Sequence, residues 1–245
     1  MDDSVRRAVE RDIRTMRANL GEPLTIDDLA RAAMFSKFHF SRLFRQATGT
    51  SPARFLSALR LAEAKRLLRT TPMTVTAICH QVGYSSVGTF STQFSLRVGT
   101  TPNAYRHFGG VQLPAQGPAT EARTVVVRGN VLAPPEAPGG PVFVGLFPSR
   151  IPEGRPVRHI VLDAAGPYAL PNVPEGNWHL LAHMVNPVLA AGQVPYIGCK
   201  GSIAVQPNLT ARLADVALRP MHWFDPPVLL ALAQHREAAA VRVAV

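Results

Sequence analysis

The sequence predicts a multi-domain α and β protein: an all-α double helix-turn-helix domain, then an antiparallel β-sandwich with a C-terminal helix. Three observations predict it. Proline is scarce in residues 1–110, at Pro23, Pro52, Pro72 and Pro102 only, whereas the rest of the 22 prolines fall in residues 111–245. The apolar pattern has a helical period up to residue 108 and alternates with period two after residue 123. One amphipathic stretch near residue 40 returns near residue 90. The expected limits are 1–108 for the helical domain, 109–122 for a Gly/Pro/Ala-rich linker, 123–220 for the β-sandwich and 221–245 for a helical tail.

The chain of 245 residues can bury a core in each of two domains. At 47% hydrophobic and 17% charged residues it is globular rather than disordered. No apolar run reaches the roughly 18 residues of a membrane span. Met1-Asp-Asp-Ser-Val-Arg-Arg lacks the apolar segment of a signal peptide, so a cytoplasmic protein without membrane contact is expected. Cys79 and Cys199 are too few and too far apart for a metal motif or a disulfide framework, and no cofactor or metal is expected. The net charge of +10 is uneven: residues 1–110 hold 16 Lys+Arg against 8 Asp+Glu, the remainder 10 against 8. That bias suggests a polyanion, most often nucleic acid. A composition rich in arginine throughout would give the same bias without such a partner.

Taken in order, residues 4–19 form a helix with Val5, Val9, Ile13 and Met16 on its apolar stripe, ended by Gly21 and Pro23. Thr25 caps a short helix to about Ala33, with Asp28 at the capping-box spacing. After a turn at Met34-Phe35, Ser36 caps the next helix. Phe40, Leu43, Phe44 and Ala47 face inward; Lys37, Phe38, Ser41, Arg42 and Arg45 fall on the other side. Gly49 can end that helix in a left-handed conformation and Pro52 can open another. The helix from Pro52 to about Arg69 is apolar on more than one side, as a connector covered on two faces would be. Thr74 caps Val75 to Val82, Gly83-Tyr84-Ser85 turns, and residues 86–98 form the counterpart of the earlier exposed helix. Gly99 to Pro102 ends it, before a short last helix at Asn103-Ala-Tyr-Arg106.

At an offset of 50, Phe40, Ser41, Phe44, Gly49, Thr50 and Pro52 match Phe90, Ser91, Phe94, Gly99, Thr100 and Pro102. Upstream the offset is 49: Leu29, Ala33, Phe35 and Ser36 match Ile78, Val82, Tyr84 and Ser85, a one-residue slip at the start of the second exposed helix. Two such units joined by a long helix present two exposed helices, each able to enter a major groove about one DNA turn apart.

Residues 5–108 resemble the DNA-binding domain of AraC/XylS-type transcriptional regulators. The resemblance rests on Ala64-Lys-Arg-Leu-Leu, Val82-Gly-Tyr-Ser, Phe90-Ser-x-x-Phe94 and Gly99-Thr-Thr-Pro-x-x-Tyr-Arg106. It implies double-stranded DNA and RNA polymerase as partners. It places base-reading positions on Phe38, Ser41 and Arg42, with Lys37, His39 and Arg45 beside them, and on Val87, Gly88, Thr89, Ser91 and Thr92. Arg42 can read guanine O6/N7 with two bonds, and Phe38 can press on a thymine methyl or be a core aromatic. Many relatives carry a long polar residue where Thr92 stands, so the second helix is expected to supply shape-dependent preference or only to hold the backbone. Met34 stands where glycine is common, which suggests a turn that need not be left-handed.

In residues 124–218 the alternating segments are 124–131, 140–147, 157–162, 166–170, 176–184, the weaker 196–198 and 202–205, and 209–218. The Gly166-Pro-Tyr-Ala-Leu-Pro-Asn-Val-Pro-Glu-Gly-Asn-Trp-His-Leu run resembles prealbumin-like (carboxypeptidase regulatory-like) sandwiches. Pro226 to Ala240 reads as an apolar helix that docks on the sandwich or forms a dimer contact. His179 and His183 share one face of a strand, Trp178 the other. Tyr168, Trp178, His179, His183, Tyr196 and Trp223 are the candidate ligand-binding set. Some related sandwiches hold iron on two Tyr and two His, a pattern these spacings do not single out. Cys79 is expected in the core, and a redox-switch role for Cys199 is not favoured.

The combined expectation is a sequence-specific regulator and not an enzyme. Its C-terminal half serves a small-molecule effector or homodimerisation, in the reverse of the family's usual domain order. The alternative is a DNA-targeted protein whose sandwich is a metal-dependent enzyme or a carbohydrate-binding module.

Overall fold

A computed structural model describes residues 3–109, 125–184, 194–206 and 210–231. The chain divides into two compact units: Met1–Gly109 with His222–Leu229, and Gly110–Met221 with Leu230–Val245. No helix among the described residues is long and apolar enough to cross a membrane.

The first unit is helical: α1 (Asp3–Ala18), α2 (Ile26–Ala32), α3 (Lys37–Thr48), α4 (Pro52–Thr70), α5 (Val75–Gln81), α6 (Val87–Val98) and α7 (Pro102–His107). Local chemistry sets the starts. Thr25, Ser36, Ser51, Thr74, Ser86 and Thr101 each accept a hydrogen bond from a first-turn amide of the helix they precede, satisfying one otherwise unbonded donor. Thr25 and Asp28 complete both halves of the capping box, so aspartate is long enough here. Gly49 and Gly99 stop α3 and α6 at φ 75° and 92°.

Each helix-turn-helix is held by an aromatic ladder. Phe40 and Phe44 lie 5.7 Å apart, and Phe44 meets Phe55 of α4 edge-on at 5.4 Å. In the repeat Phe90 and Phe94 lie 5.7 Å apart, and Phe94 meets Tyr105 of α7 edge-on at 5.6 Å. Such pairs add about 0.5–1.5 kcal/mol each beyond area burial. The connector α4 buries Phe55, Leu56, Leu59, Leu61, Leu67 and Leu68, which accounts for its weak amphipathicity. The one-residue slip is Ser85: Phe35 N donates to Ala30 O and Tyr84 N to Cys79 O at offset 49, whereas the caps Ser36 and Ser86 are at offset 50.

Met34 is left-handed after all, at φ 57°. Its amide donates to Arg31 O and that of Phe35 to Ala30 O, and closing both bonds requires the left-handed residue whatever its side chain. Closure outweighs a preference worth roughly 1–2 kcal/mol.

Residues 226–231 are not helical, and the remainder of the expected C-terminal helix lies outside the described residues. Consecutive prolines at 226 and 227 bias the chain to extended conformation. His222–Leu229 forms a strap that belongs to the helical unit. The Arg14 and Arg17 guanidinium carbons lie 5.6 and 5.1 Å from the Trp223 ring centre, and that of Arg6 lies 5.7 Å from Phe224. Phe224 packs against the core shared by α1, α3 and α4. Lys65 of α4 donates to Val228 O at 3.1 Å, and burial, with Arg69 nearby, pulls its amine down to about 7.

The second unit is strand-rich: β1 (Val125–Leu132), β2 (Val142–Phe147), β3 (Arg158–Leu162), β4 (Pro167–Val173), β5 (Gly176–Met184), β6 (Tyr196–Val205), β7 (Ala211–Leu213), β8 (Val216–Ala217) and β9 (Arg219–Pro220). One sheet has the order β4-β1-β7, with β8 also on β1; the other runs β3-β2-β5-β6-β9. Alternate residues of both meet in one core, among them Val127, Tyr168 and Leu170 from the first and Val144, Leu180 and Ile203 from the second. Most pairings are antiparallel, but β7 and β8 run parallel to β1, unlike the uniform pattern expected. The weaker segments 196–198 and 202–205 are one strand, while 209–218 is broken. The break falls at Ala214-Asp215, where the Asp215 carboxylate accepts from Asn130 N at 2.8 Å. Ala214 O crosses so near Gly129 that a Cβ there would lie 2.5 Å from it.

Candidate nucleic-acid interface

Helix α3 exposes Lys37, Phe38, Arg42 and Arg45 and half-buries His39 and Ser41. Phe38 is 87% exposed, so the core-aromatic alternative for it falls away. Nothing in the first unit's core needs that ring. The Phe35 ring meets His39 edge-on at 5.1 Å, and His39 Nδ1 lies 3.2 Å from Arg42 NH2. That chain of contacts restrains the guanidinium. Lys37 instead pairs with Asp27 of α2 at 2.9 Å. Both partners are half exposed, so the pair is worth at most about 1 kcal/mol and a phosphate can displace the carboxylate.

Helix α6 offers Gly88, Thr89 and Thr92 exposed, with Val87 and Ser91 half-buried. Its one cation, Arg97, is turned inward and donates to Ser57 Oγ at 3.0 Å. The two helices share a scaffold but differ in charge: α3 carries three cations on its surface and α6 none. Two further arginines brace the unit. Arg60 donates to Leu20 O and Glu22 O at 3.0 and 2.8 Å, and Arg106 to the Leu68 and Met73 carbonyls. From sequence these arginines look like any other surface cation. Only the tail of the resemblance, at Tyr105-Arg106, marked one of them.

The residues singled out in the strand-rich half do not converge. Tyr168 is in the core and donates to Ala214 O at 2.5 Å, its phenol pKa raised by burial. Trp178 donates to Pro174 O at 3.0 Å, and with Tyr196 it packs on the same core. His183 is across from Phe143 on the other face, and Trp223 is in the strap. Of the set, His179 lines a cavity, with Ser149, Arg150 and Lys200 that the sequence did not single out. Burial, then the charge of Arg150, lowers the His179 pKa. Among the described residues no group of three or more His, Cys, Asp or Glu is placed to hold a metal ion.

The helical unit is of the helix-turn-helix class: residues 29–107 match the family described as a helix-turn-helix domain. The chain is 33% identical over 90 residues to the uncharacterized HTH-type transcriptional regulator YobQ of Bacillus subtilis, covering 37% of each protein. It is 36% identical over 90 residues to the HTH-type transcriptional regulator Rv1931c of Mycobacterium tuberculosis, covering 37% of this chain and 35% of that protein. To the Transposon Tn10 TetD protein of Escherichia coli it is 35% identical over 88 residues, 36% of this chain and 64% of that one. The chain thus spans between about a third and two thirds of these relatives. A transcriptional regulator structure from Chromobacterium violaceum, titled as AraC-type, aligns with TM-score 0.41 and 30% identity, over 44% of this chain and 96% of that one.

Proposed function

We propose that this chain is a cytoplasmic, sequence-specific DNA-binding transcription regulator of the AraC type, which engages two adjacent major grooves through α3 and α6 and responds through its strand-rich half, a β-sandwich, to a small ligand or to dimerisation. The observation that carries the reading is the exposed face of α3. An arginine held by His39, a solvent-facing phenylalanine and further cations lie on a helix whose opposite side is fully used in packing. A major groove offers Phe38 a thymine methyl and offers Arg42 a guanine edge. The relatives named as transcriptional regulators support the same reading. The shared core of two sheets is what the prealbumin-like reading of the second unit requires.

The test is site selection from a random DNA pool with the full chain. Arg42→Ala is expected to lose about 1–3 kcal/mol of discrimination at one base pair. Thr92→Ala is expected to change little. Full operator preference in Arg42→Ala would remove α3 as the reading helix.

A further inference from the structure

A cavity beside His179 lies within the strand-rich unit. Its volume is about 120 Å³. Buried Phe147 and Leu181 form an apolar floor; exposed Arg150 and Lys200, with half-buried His179, form a basic rim. No carboxylate lines it among the described residues, so the rim's charges are not neutralised from within the cavity wall. Burial first, and then the charge of Arg150, lowers the His179 pKa. The strand pairing also changes here. The register between β5 and β6 shifts between Trp178 and Leu180, and such bulges re-aim side chains next to binding sites.

We propose that this cavity binds a small carboxylic acid with an apolar body, the carboxylate at Arg150 and Lys200 and the body over Phe147 and Leu181. The planar guanidinium fork matches a carboxylate with two parallel hydrogen bonds. The floor favours an organic acid over an inorganic anion, because phosphate would leave the apolar surface wet. A site this small supports only a modest affinity, with a Kd on the order of 1 mM. The inference rests on the reading of the strand-rich half as the sensing part and names its ligand class.

Cys199 lines the same cavity and is exposed, whereas Cys79 is buried, so thiol labelling reports occupancy locally. The full chain, without DNA, is labelled in the presence of benzoate, isovalerate, benzamide or inorganic phosphate. Benzoate or isovalerate is expected to slow Cys199 labelling with half-effect on the order of 1 mM, and Arg150→Gln to raise that concentration about tenfold. Benzamide and phosphate are expected to have no effect. Equal protection by either of them, no protection by both acids at about 10 mM, or an unchanged response in Arg150→Gln overturns the proposal. DNA selection by Arg42→Ala is read separately, so failure of either assay leaves the other interpretable.

Discussion

The two helix-turn-helix units are one scaffold with two different outward faces. Their aromatic ladders agree within a few tenths of an ångström, and both exposed helices end on a left-handed glycine. What differs is the turn and the outward face. The first unit makes its turn on Met34, 92% exposed, and spends its cations on the surface. The second makes it on Gly83, pressed against the rest of the unit, and turns Arg97 inward to Ser57. The repeated interior sets the helix positions; what each helix does there was free to diverge.

The largest test of that contrast is at the turns. Gly83 has φ 82°, and a Cβ on it would lie 2.3 Å from Leu20 O and 2.8 Å from the Arg60 guanidinium. Gly83→Ala is expected to cost about 3 kcal/mol in chemical denaturation. Met34→Ala should change stability by no more than about 0.5 kcal/mol; equal losses at both sites would mean that the turns are packed alike.

The supporting helices differ next. The fully buried residues of α4 are apolar, with Lys65 among those partly covered, but α1 fully buries Asp12, whose Oδ2 has no hydrogen-bond partner among the described residues. Burial lifts its carboxyl from the ordinary value to about 6, against the pull of Arg11. A raised folded pKa favours the protonated form in the fold. The stabilisation is therefore complete below about pH 4 and is lost as pH rises through 6. Asp12→Asn should flatten this slope, and wild type should lose up to roughly 2 kcal/mol relative to the variant between pH 4 and 7, read from denaturant midpoints.

On the face proposed to meet DNA, Thr92→Arg would give α6 an exposed arginine like that of α3. It should tighten binding by about 1 kcal/mol and steepen the logarithmic salt dependence by about one. Anisotropy titrations at several salt concentrations check this; an unchanged slope would place Thr92 away from the phosphates. Smallest is Met34→Gly. Relief of the left-handed backbone slightly exceeds the added chain entropy, so a gain of about 0.5 kcal/mol is expected in the same denaturation assay.

Where a feature was local or repeated, the sequence showed it. Caps at Thr25, Ser36 and Thr74 need only a hydroxyl and the next turn, and the phenylalanines at offset 50 survive because the ladder needs them in both copies. Features built from distant residues were not legible. Met34's left-handed turn is imposed by hydrogen bonds that glycine would accept more easily. Lys37 finds Asp27 only because α2 and α3 pack together. The basic cavity joins Ser149-Arg150 to Lys200 across strands, with no motif to mark it. The strap holds itself with a Trp, a Phe and one carbonyl, and its two prolines gave the misleading signature of a helix start.

That strap makes the helical unit discontinuous in sequence, since its last piece, His222–Leu229, arrives only after Gly110–Met221 of the second unit. The docking of Trp223 and Val228 is therefore an intramolecular closure whose effective concentration is set by what lies between Gly109 and His222. Folding of the intervening strands shortens the effective loop that this closure must span, and a shorter loop carries a smaller closure entropy. Anything that stabilises the second unit then stabilises the first through the covalent chain, with no interface needed to carry the message.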